Sequence, residues 1–312
     1  APFTLFISPT HRCNFQCNYC THSKGREEKA ASGFQAVDIA PELVQSLVKQ
    51  AAAFEGKLHR IVFTGLGEPL MNQTLPDMVQ MFRDAQTAQG YEVITNAYLL
   101  TPDRTDRLLE AGLTYLRVSI QGVSSAQYKN VAGVTIDYSR MVEQLRYFYE
   151  RKGNCQLYIK AMDVSLEGER DQELFFQTFS PICDKIYIEH LVKAQPSMMK
   201  RYGDHVTSEL TFFREPSEYR EVCPYLFYVL QVDSLGNVYP CLPLGFTEEF
   251  SLGNVAKQTL YDIWHGKKLH DLRMQHLTHA RHDHPVCGCC ENYLCFTPKE
   301  DNLDLRADEV RK

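Results

Sequence analysis

The feature that most constrains the fold is the alternation of short β-branched segments with helical segments along the first 192 residues. Six such segments lie at 3–8, 60–64, 91–95, 113–120, 156–164 and 185–192, and helical periodicity occupies the stretches between them. Neighbouring parallel strands need long, usually helical connections, so this order predicts a parallel sheet. Six units are too few for a complete eight-stranded barrel. We therefore expect an α/β fold, a partial (β/α)6 TIM-like barrel over 1–192 that is open on one side.

Three of the helical segments are well marked. Apolar residues at 43, 44, 47, 48 and 51 form one stripe, and those at 141, 142, 145 and 148 form another. A helix is predicted over 102–111, with Thr101 as its N-cap, Pro102 at its first position and Gly112 as its stop signal. In folds of this class, functional residues lie at the carboxyl ends of the strands. Candidate site residues are therefore sought at those ends.

The pattern changes after residue 192. Residues 193–222 read as a polar connection, and a small cysteine-rich domain is expected over 223–297. Segments 225–232 and 237–241 predict a hairpin around a tight turn at 233–236, followed by short helices at 258–265 and 268–275. The charged residues of 298–312 predict a mobile tail.

Charge and hydropathy exclude several classes of protein. The net charge of −6, from 33 Lys+Arg and 39 Asp+Glu, gives no general attraction for nucleic acid. No apolar stretch approaches the roughly 20 residues that span a bilayer, and the N-terminus lacks a basic signal region. We expect a cytoplasmic protein without a membrane or nucleic-acid partner. Its 11 cysteines then favour metal binding or catalysis over disulfides.

Three of these cysteines follow the first predicted strand directly. Cys13, Cys17 and Cys20 therefore converge in a loop at the carboxyl end of that strand. Thiolates select zinc or iron–sulfur centres. A structural zinc site would need a fourth ligand, for which His11 or His22 is available. Three cysteines on a four-iron cluster would instead leave one iron open.

This spacing, with the aromatic Tyr19 just before the third cysteine, closely resembles that of the radical S-adenosylmethionine (SAM) enzymes. In that family the open iron binds the amino and carboxylate groups of the cofactor, and one electron cleaves the cofactor to a 5′-deoxyadenosyl radical. The radical then abstracts a hydrogen atom from a substrate carbon. The resemblance implies SAM, a [4Fe–4S] cluster on Cys13, Cys17 and Cys20, and a one-electron reductant such as flavodoxin or ferredoxin.

The end of the second strand carries a further resemblance. Residues 64–70 read TGLGEPL, which is similar to the family's GGEP motif with Leu66 in place of the first glycine. Glycines there let a ligand approach the backbone, and a carboxylate can accept hydrogen bonds from an ammonium group. Polar residues also end the third and fourth strands, where they could instead be ordinary solvent-facing positions. The resemblance implies cofactor contacts from Tyr19, Gly67, Glu68, Pro69, Asn96, Ser119 and Gln121.

A second group of cysteines lies in the small domain. A hairpin that joins two cysteines to a later CxxC pair is a common way to build a four-thiolate site, for zinc or for iron–sulfur. The region is similar to the auxiliary-cluster domain called SPASM or, in a shorter form, twitch. The resemblance implies one fully ligated auxiliary [4Fe–4S] cluster, used for electron transfer or for structure, on Cys223, Cys241, Cys287 and Cys290. Cys289 and Cys295 remain as substitute ligands or free thiols.

Four histidines near this group have no acidic or cysteine partner at ligand spacing. We expect them to be solvated surface residues, with cluster assembly or zinc binding as the alternative: His276, His279, His282 and His284.

The outcome of hydrogen abstraction depends on neighbouring groups. Oxidation of a carbinol needs a base and an electron acceptor, and the candidates able to reach the cavity are Lys160, Glu189 and His190. Epimerisation needs a hydrogen donor on the opposite face, typically a thiol. The candidate thiols are Cys155, Cys183, Cys289 and Cys295.

Three functions stay open at this stage. Relatives with the auxiliary domain modify ribosomal peptides, or oxidise or epimerise sugars and aminocyclitols. Peptide-modifying members often carry an N-terminal peptide-binding module, for which there is no room before Cys13. We therefore expect oxidation or epimerisation of a carbohydrate-like small molecule. The alternatives are radical modification of a ribosomal peptide, by epimerisation or cross-linking, and a non-catalytic zinc-binding interaction module.

Overall fold

Nine strands form one open sheet in the order β6-β5-β4-β3-β2-β1-β7-β8-β9. The computed structural model describes residues 1–25, 27, 29, 33–192, 209–242, 250–295 and 302–311, with only the backbone of Cys295. The strands are β1 Thr4–Ile7, β2 Leu58–Phe63, β3 Ala88–Thr95, β4 Tyr115–Ile120, β5 Gln156–Met162, β6 Lys185–Glu189, β7 Val229–Val232, β8 Asn237–Tyr239 and β9 Gly253–Asn254. Because β1 to β6 are parallel and the sheet does not close, the predicted partial barrel is confirmed.

Helices connect the parallel strands and follow the hairpin. They are α1 Pro41–Ala52, α2 Leu75–Asp84, α3 Pro102–Glu110, α4 Ser125–Ala132, α5 Tyr138–Arg151, α6 Gly168–Phe179, α7 Tyr225–Tyr228, α8 Leu260–Trp264, α9 Lys267–Leu277 and α10 Ala307–Arg311. Helix α3 begins at the predicted cap, where the Thr101 hydroxyl accepts a hydrogen bond from the Arg104 amide at 3.4 Å. It stops before Gly112, whose φ of +90° suits glycine.

The two faces of the sheet differ in polarity. Alternate residues of each strand, such as Leu116, Val118 and Ile120 of β4, pack under the helices in one continuous hydrophobic core. The opposite face, which lines the inside of the partial barrel, carries polar residues such as Arg117 and Ser119. This inner face meets the carboxyl ends of the strands, so polar groups there are placed to contact a ligand.

The hairpin of the small domain extends the barrel sheet rather than standing apart from it. Strand β7 pairs in parallel with β1, from Thr4 opposite Val229 to Ile7 opposite Val232. The four residues of β7 are all buried, and a strand buried on both faces belongs inside a sheet. The segment expected to be one strand over 225–232 therefore divides into the short helix α7 and the seventh parallel strand.

The C-terminal segment also differs from the expectation of a mobile tail. Residues 302–311 contain a 3-10 turn, Asp304–Arg306, followed by α10. Ala307 is buried against Val222 and Leu277. The tail residues 298–301 and 312 lie outside the described residues. Among the described helices, none has the length and apolar character to cross a membrane.

Candidate active site and auxiliary cysteine site

The first three cysteines lie in the loop after β1, at the carboxyl edge of the sheet. Cys13, Cys17 and Cys20 are partly buried, and the Cys20 amide donates to the Cys17 carbonyl at 2.8 Å. Burial raises the pKa of the Cys13 thiol to about 12 and also raises the pKa of Cys17 and Cys20. Such thiols keep their protons unless a cation replaces them, so this loop is suited to a bound metal centre.

The glycine-rich turn after β2 holds this loop in place. A Cβ atom on Gly67 would lie 2.4 Å from the carbonyl oxygens of both Thr10 and Arg12, so only glycine fits there. The amide of Glu68 donates to the Arg12 carbonyl at 2.8 Å. The Asn72 side chain donates to the Pro9 carbonyl at 2.8 Å. The TGLGEPL segment thus supports the cysteine loop through backbone contacts.

The carboxylate of Glu68 is buried and satisfied by neighbouring donors. Its Oε1 accepts hydrogen bonds from the Leu70 amide at 2.9 Å and the Thr95 hydroxyl at 2.5 Å. Its Oε2 accepts from the Asn96 amide at 2.7 Å. Burial raises the pKa of Glu68, and these hydrogen bonds oppose that shift. The end of β3 thereby fixes the carboxylate at the edge of the sheet.

The other expected cofactor contacts lie at the same edge. The Tyr19 hydroxyl donates to Gln121 Oε1, and Gln121 Nε2 donates to the Ser119 carbonyl at 3.2 Å. The Asn96 side chain donates to Asn14 Oδ1 in the cysteine loop at 2.9 Å. The strand ends and the cysteine loop therefore form one polar cluster. Pro69 begins the 3-10 turn Pro69–Met71 beside it.

The alternative of a zinc site in this loop finds no support. His11 Nδ1 lies 3.0 Å from the Gln35 carbonyl, and its Nε2 accepts from the Ser234 amide at 3.0 Å. His22 Nε2 contacts the Leu66 carbonyl. Within the described ranges, no three His, Cys, Asp or Glu side chains are close enough to hold one metal ion. Zinc gathers thiolates at about 2.3 Å from a single centre. A four-iron cluster instead takes each thiolate on a different iron, so it does not need three ligand atoms around a single ion.

The inner face of the sheet carries a chain of charged groups. Lys160 Nζ pairs with Glu189 Oε2 at 2.5 Å, and Glu189 is only 1% exposed. The other oxygen, Oε1, has no hydrogen-bond partner among the described residues. Further along the same face, Arg60 and Arg117 both pair with the buried Glu92, at 2.7 and 2.9 Å. The sequence analysis did not single out Arg60, Glu92 or Arg117, because their contact depends on strand register.

His190 has an acidic partner that the sequence does not reveal. Its Nδ1 lies 2.6 Å from Oδ2 of Asp163, and His190 is buried. His190 directly follows β6 and Asp163 directly follows β5, so both lie at the carboxyl edge. A carboxylate on one ring nitrogen orients an imidazole for proton transfer at the other.

The candidate thiol donors do not gather at this edge. Cys155 precedes β5 and Cys183 precedes β6, so both lie at the amino ends of strands, opposite the cofactor edge. Cys289 is exposed, with its Sγ near the carbonyls of Pro285 and Val286. The side chain of Cys295 lies outside the described residues. The expectation that Cys155 or Cys183 donates hydrogen to a substrate is therefore not supported.

The four cysteines expected to bind the auxiliary cluster line one small cavity: Cys223, Cys241, Cys287 and Cys290. Burial raises the pKa of Cys223 and of Cys287 to about 12, and each thiol would repel its neighbours if ionised. Arg281, which is only 2% exposed, lines the same cavity. A buried cation beside four thiols fits an anionic occupant such as a thiolate-bound cluster.

Two of the histidines expected at the surface support these cysteines instead. His276 is fully buried, and its Nδ1 accepts a hydrogen bond from the Cys223 amide at 3.2 Å. Burial lowers the pKa of His276 to about 3. His284 Nδ1 accepts from the Cys287 amide at 3.0 Å. His276 continues the apolar face of α9 formed by Leu269 and Leu272, a spacing that could have indicated its burial. His279 and His282 are exposed, as expected.

Comparison with known families agrees with both sites. Residues 7–175 match the model of the Radical SAM superfamily, and residues 223–291 match that of the SPASM family, an iron–sulfur cluster-binding domain. The first match spans more than half of the chain and contains the cysteine loop, the glycine-rich turn and Gln121.

Individual relatives are more distant. A probable GTP 3′,8-cyclase of Methanosarcina mazei is 32% identical over 220 residues, which are 69% of this chain and 63% of the relative. A PqqA peptide cyclase of Bradyrhizobium diazoefficiens is 29% identical over 152 residues, 48% of this chain and 36% of the relative. The chain thus spans less than two thirds of each.

A solved structure of BtrN in complex with AdoMet and 2-DOIA has a TM-score of 0.55 and 21% identity, and the match covers 93% of each chain. This likeness concerns the fold. Together with the two family matches, it accounts for the barrel and for the cysteine-lined cavity beside it. The chain belongs to the radical SAM superfamily and carries a C-terminal SPASM domain, so its cofactors are S-adenosylmethionine and [4Fe–4S] clusters, one for radical generation and an auxiliary one.

Proposed function

We propose that this protein oxidises a hydroxylated, carbohydrate-like small molecule at a carbinol carbon. The observation that carries the proposal is the buried Lys160–Glu189 pair on the inner face, with Glu189 Oε1 unpartnered in the described part of the chain. A buried carboxylate oxygen without a partner is costly unless a ligand donates to it. A substrate hydroxyl or ammonium group would supply that hydrogen bond.

The placement of the thiols favours oxidation over epimerisation. Cys155 and Cys183 lie at the amino ends of their strands, and Cys289 is exposed. In epimerisation, a hydrogen donor must reach the substrate carbon from the face opposite the radical, so it must lie close to the carboxyl edge of the sheet. Cys155 and Cys183 lie at the other edge. The four-cysteine cavity supports an electron acceptor, which oxidation requires and epimerisation does not.

When bound, the cofactors supply a 5′-deoxyadenosyl radical at the first site and an acceptor for one electron at the second. Cys13, Cys17 and Cys20 would hold the first cluster, and Glu68 would receive the ammonium group of SAM. With these groups bound, oxidation of the carbinol would remove one hydrogen atom, one proton and one electron; a base of the chain would take the proton, and the auxiliary site would supply the electron acceptor. Cleavage of SAM would take one electron from the external reductant and release methionine. The products would therefore be the ketone, 5′-deoxyadenosine and methionine, with one electron passed on at the auxiliary site.

Two groups of the chain could take the proton. Glu189 lies beside Lys160, and burial raises its pKa toward the range of a useful base. His190 is the second candidate, because Asp163 contacts its Nδ1 at 2.6 Å and lies at the carboxyl edge. We assign Glu189 to substrate binding or deprotonation and His190 to deprotonation only.

The alternative proposal is radical modification of a peptide, which the similarity to PqqA peptide cyclase favours. The structure of BtrN in complex with AdoMet and 2-DOIA, whose fold is similar over 93% of this chain, favours a small molecule. The inner face is charged, and a substrate with many hydroxyl groups could form hydrogen bonds to it in place of water. This favours a polar small molecule over a peptide, and the charged residues are Arg60, Glu92, Arg117 and Lys160.

The test is anaerobic reconstitution with iron and sulfide, followed by reaction with SAM, dithionite or reduced flavodoxin, and a panel of sugars, aminocyclitols and peptides. We expect about eight irons per chain. We also expect a ketone and 5′-deoxyadenosine in equal amounts from one polyol class, with no solvent deuterium at carbon. Modification of a peptide with no polyol turnover would replace this proposal by the alternative.

A variant tests the role of the inner-face carboxylate. Glu189→Gln is expected to lower kcat/KM for the identified polyol by about 10²-fold or more while iron content is unchanged, since it removes the base and the pairing with Lys160. The matched control is Glu173→Gln on the exposed face of α6. Equal kcat/KM values in the two variants would remove Glu189 from the site.

A further inference from the structure

Arg281 is a buried cation at the auxiliary cysteine site. It begins the 3-10 turn Arg281–Asp283, just before Cys287, and is 2% exposed. Its side chain lines the same cavity as the four cysteines. It also lies close enough to Cys223, Cys287 and Cys290 to favour the ionised form of each thiol.

The guanidinium is held rigidly by neutral groups. Nη1 donates to the Arg220 carbonyl at 3.0 Å, and Nη2 donates to the Cys290 carbonyl. The group lies over the ring of Tyr293 at 4.5 Å and that of Tyr219 at 5.5 Å. These contacts fix its position and exclude water from it, but they do not neutralise its charge.

No carboxylate balances this charge within the described residues. The ion pairs of the region are Arg220–Glu218 and His282–Asp283, and neither includes Arg281. Its Nε atom has no hydrogen-bond partner in the same part of the chain. A buried, unpaired cation with an unsatisfied donor costs several kcal/mol. The site is therefore incomplete without an anion.

A second residue that lines the cavity, His276, also carries an unsatisfied polar atom. His276 Nδ1 accepts from the Cys223 amide, which leaves the ring proton on Nε2. Nε2 is buried and has no partner among the residues described. His276 and Arg281, from different elements, thus both line the cavity, and each carries one donor without a partner among the described residues. Donors to cluster sulfurs and nearby positive charge are recognised controls of cluster potential.

We propose that Arg281 is the counter-ion of the auxiliary cluster and raises its reduction potential, so that the cluster accepts an electron from the substrate radical. The four-thiolate cluster is anionic and gains one more negative charge on reduction, so a fixed cation stabilises the reduced form more than the oxidised form. Arg281 would not touch the substrate; its effect on the reaction would be indirect, through the reduction potential of the auxiliary cluster. The inference rests on the electron-accepting role in the proposed function, but the potential is measured without substrate.

The experiment compares reconstituted holoenzymes of the wild type, Arg281→Lys and Arg281→Gln. Iron content and the midpoint potential of the auxiliary cluster are measured by redox titration with EPR detection, using the signal that SAM does not alter. We expect a lower potential in Arg281→Gln and a smaller change in Arg281→Lys, which keeps the charge but loses the fixed hydrogen-bonding fork.

The matched control is Arg273→Gln. Arg273 is a partly buried cation of the same domain that stacks on Trp264 at 4.2 Å and donates to the Leu226 carbonyl at 2.9 Å, but it does not line the cavity. Its loss is expected to leave the auxiliary potential near that of the wild type.

Each outcome decides the assignment. Loss of auxiliary iron in Arg281→Gln with retention in Arg281→Lys also supports a required cation. A wild-type potential in a fully loaded Arg281→Gln overturns it. So does equal loss of iron in both Arg281 variants, or an equal fall in potential in Arg273→Gln. A lowered potential in an enzyme that forms no ketone would instead refute the proposed oxidation and leave the counter-ion intact.

Discussion

At the scale of single residues, the cofactor edge depends on close backbone contact as much as on functional side chains. Gly67 has no Cβ, which lets the turn after β2 lie directly against the carbonyls of Thr10 and Arg12. The backbone amide of Glu68 can then donate a hydrogen bond to the Arg12 carbonyl. The Glu68 carboxylate accepts hydrogen bonds from the Thr95 hydroxyl and the Asn96 amide. The absence of a side chain at Gly67 thus lets the cysteine loop pack directly against the turn that carries the Glu68 carboxylate.

Gly67→Ala should destabilise the protein by about 1–3 kcal/mol, because the new Cβ meets backbone oxygens that have no flexible end to move. Iron at the radical cluster should fall with it. Urea denaturation of the apo-protein and iron analysis after reconstitution measure both. Gly25→Ala is the control, since its Cβ would meet nothing within 4 Å. Equal stability of the two variants would contradict the close-contact argument.

Single residues also show how far sequence reasoning reaches. The spacing of Cys13, Cys17 and Cys20 predicts the cofactor loop from the sequence alone, because the three cysteines are close together in the chain. Asp163 and His190 are 27 positions apart in the chain and meet only because β5 and β6 are neighbours. Composition and local spacing therefore cannot predict contacts between residues so far apart in the chain.

At the scale of elements, the C-terminal segment contacts the chain directly before Cys223, one of the four cysteines expected to bind the auxiliary cluster. Asp304 accepts hydrogen bonds from the Glu221 amide at 3.1 Å and the Val222 amide at 2.8 Å, directly before Cys223. Ala307 of α10 packs beside Val222. The high charge of this segment predicts exposure, yet one carboxylate and one small residue attach it to the cluster region.

Asp304→Ala should lower the free energy of unfolding by about 1–3 kcal/mol, because two backbone amides lose the charged group that accepts their hydrogen bonds. Release of auxiliary iron to a chelator should become faster, since the chain before Cys223 loses its support. Asp308→Ala serves as control: Asp308 lies in α10 but is exposed, and its carboxylate pairs with Arg311 of the same helix. Identical iron-release rates in the two variants would show that Asp304 does not support the site.

At the scale of the whole molecule, one sheet carries both cysteine sites. Strand β7 joins β1, and the turn after β7 contacts the start of the cysteine loop, where the Ser234 hydroxyl donates to the Ser8 carbonyl at 2.9 Å. The auxiliary domain is therefore built on the edge of the barrel. Each cysteine set nevertheless has its own supporting residues.

The two clusters should consequently load independently. Serine at Cys13, Cys17 and Cys20 should leave about four irons per chain and abolish SAM cleavage. Cys241→Ala should also leave about four irons, and should form 5′-deoxyadenosine without ketone, since no group then accepts the substrate electron. Iron analysis and product quantification distinguish the two. Loss of all iron in either variant would show that the sites are not independent.

The sequence by itself determined the class of fold, the two groups of cysteines that we expect to bind clusters, and the glycine-rich turn, because each is encoded by periodicity or by residues close together in the chain. Tertiary structure decided the placement of β7, the burial of His276 and Arg281, and the separation of Cys155 and Cys183 from the cofactor edge. It also decided the Lys160–Glu189 pairing. These depend on strand register and on the packing of distant segments, where the burial of one residue is fixed by side chains far away in the chain.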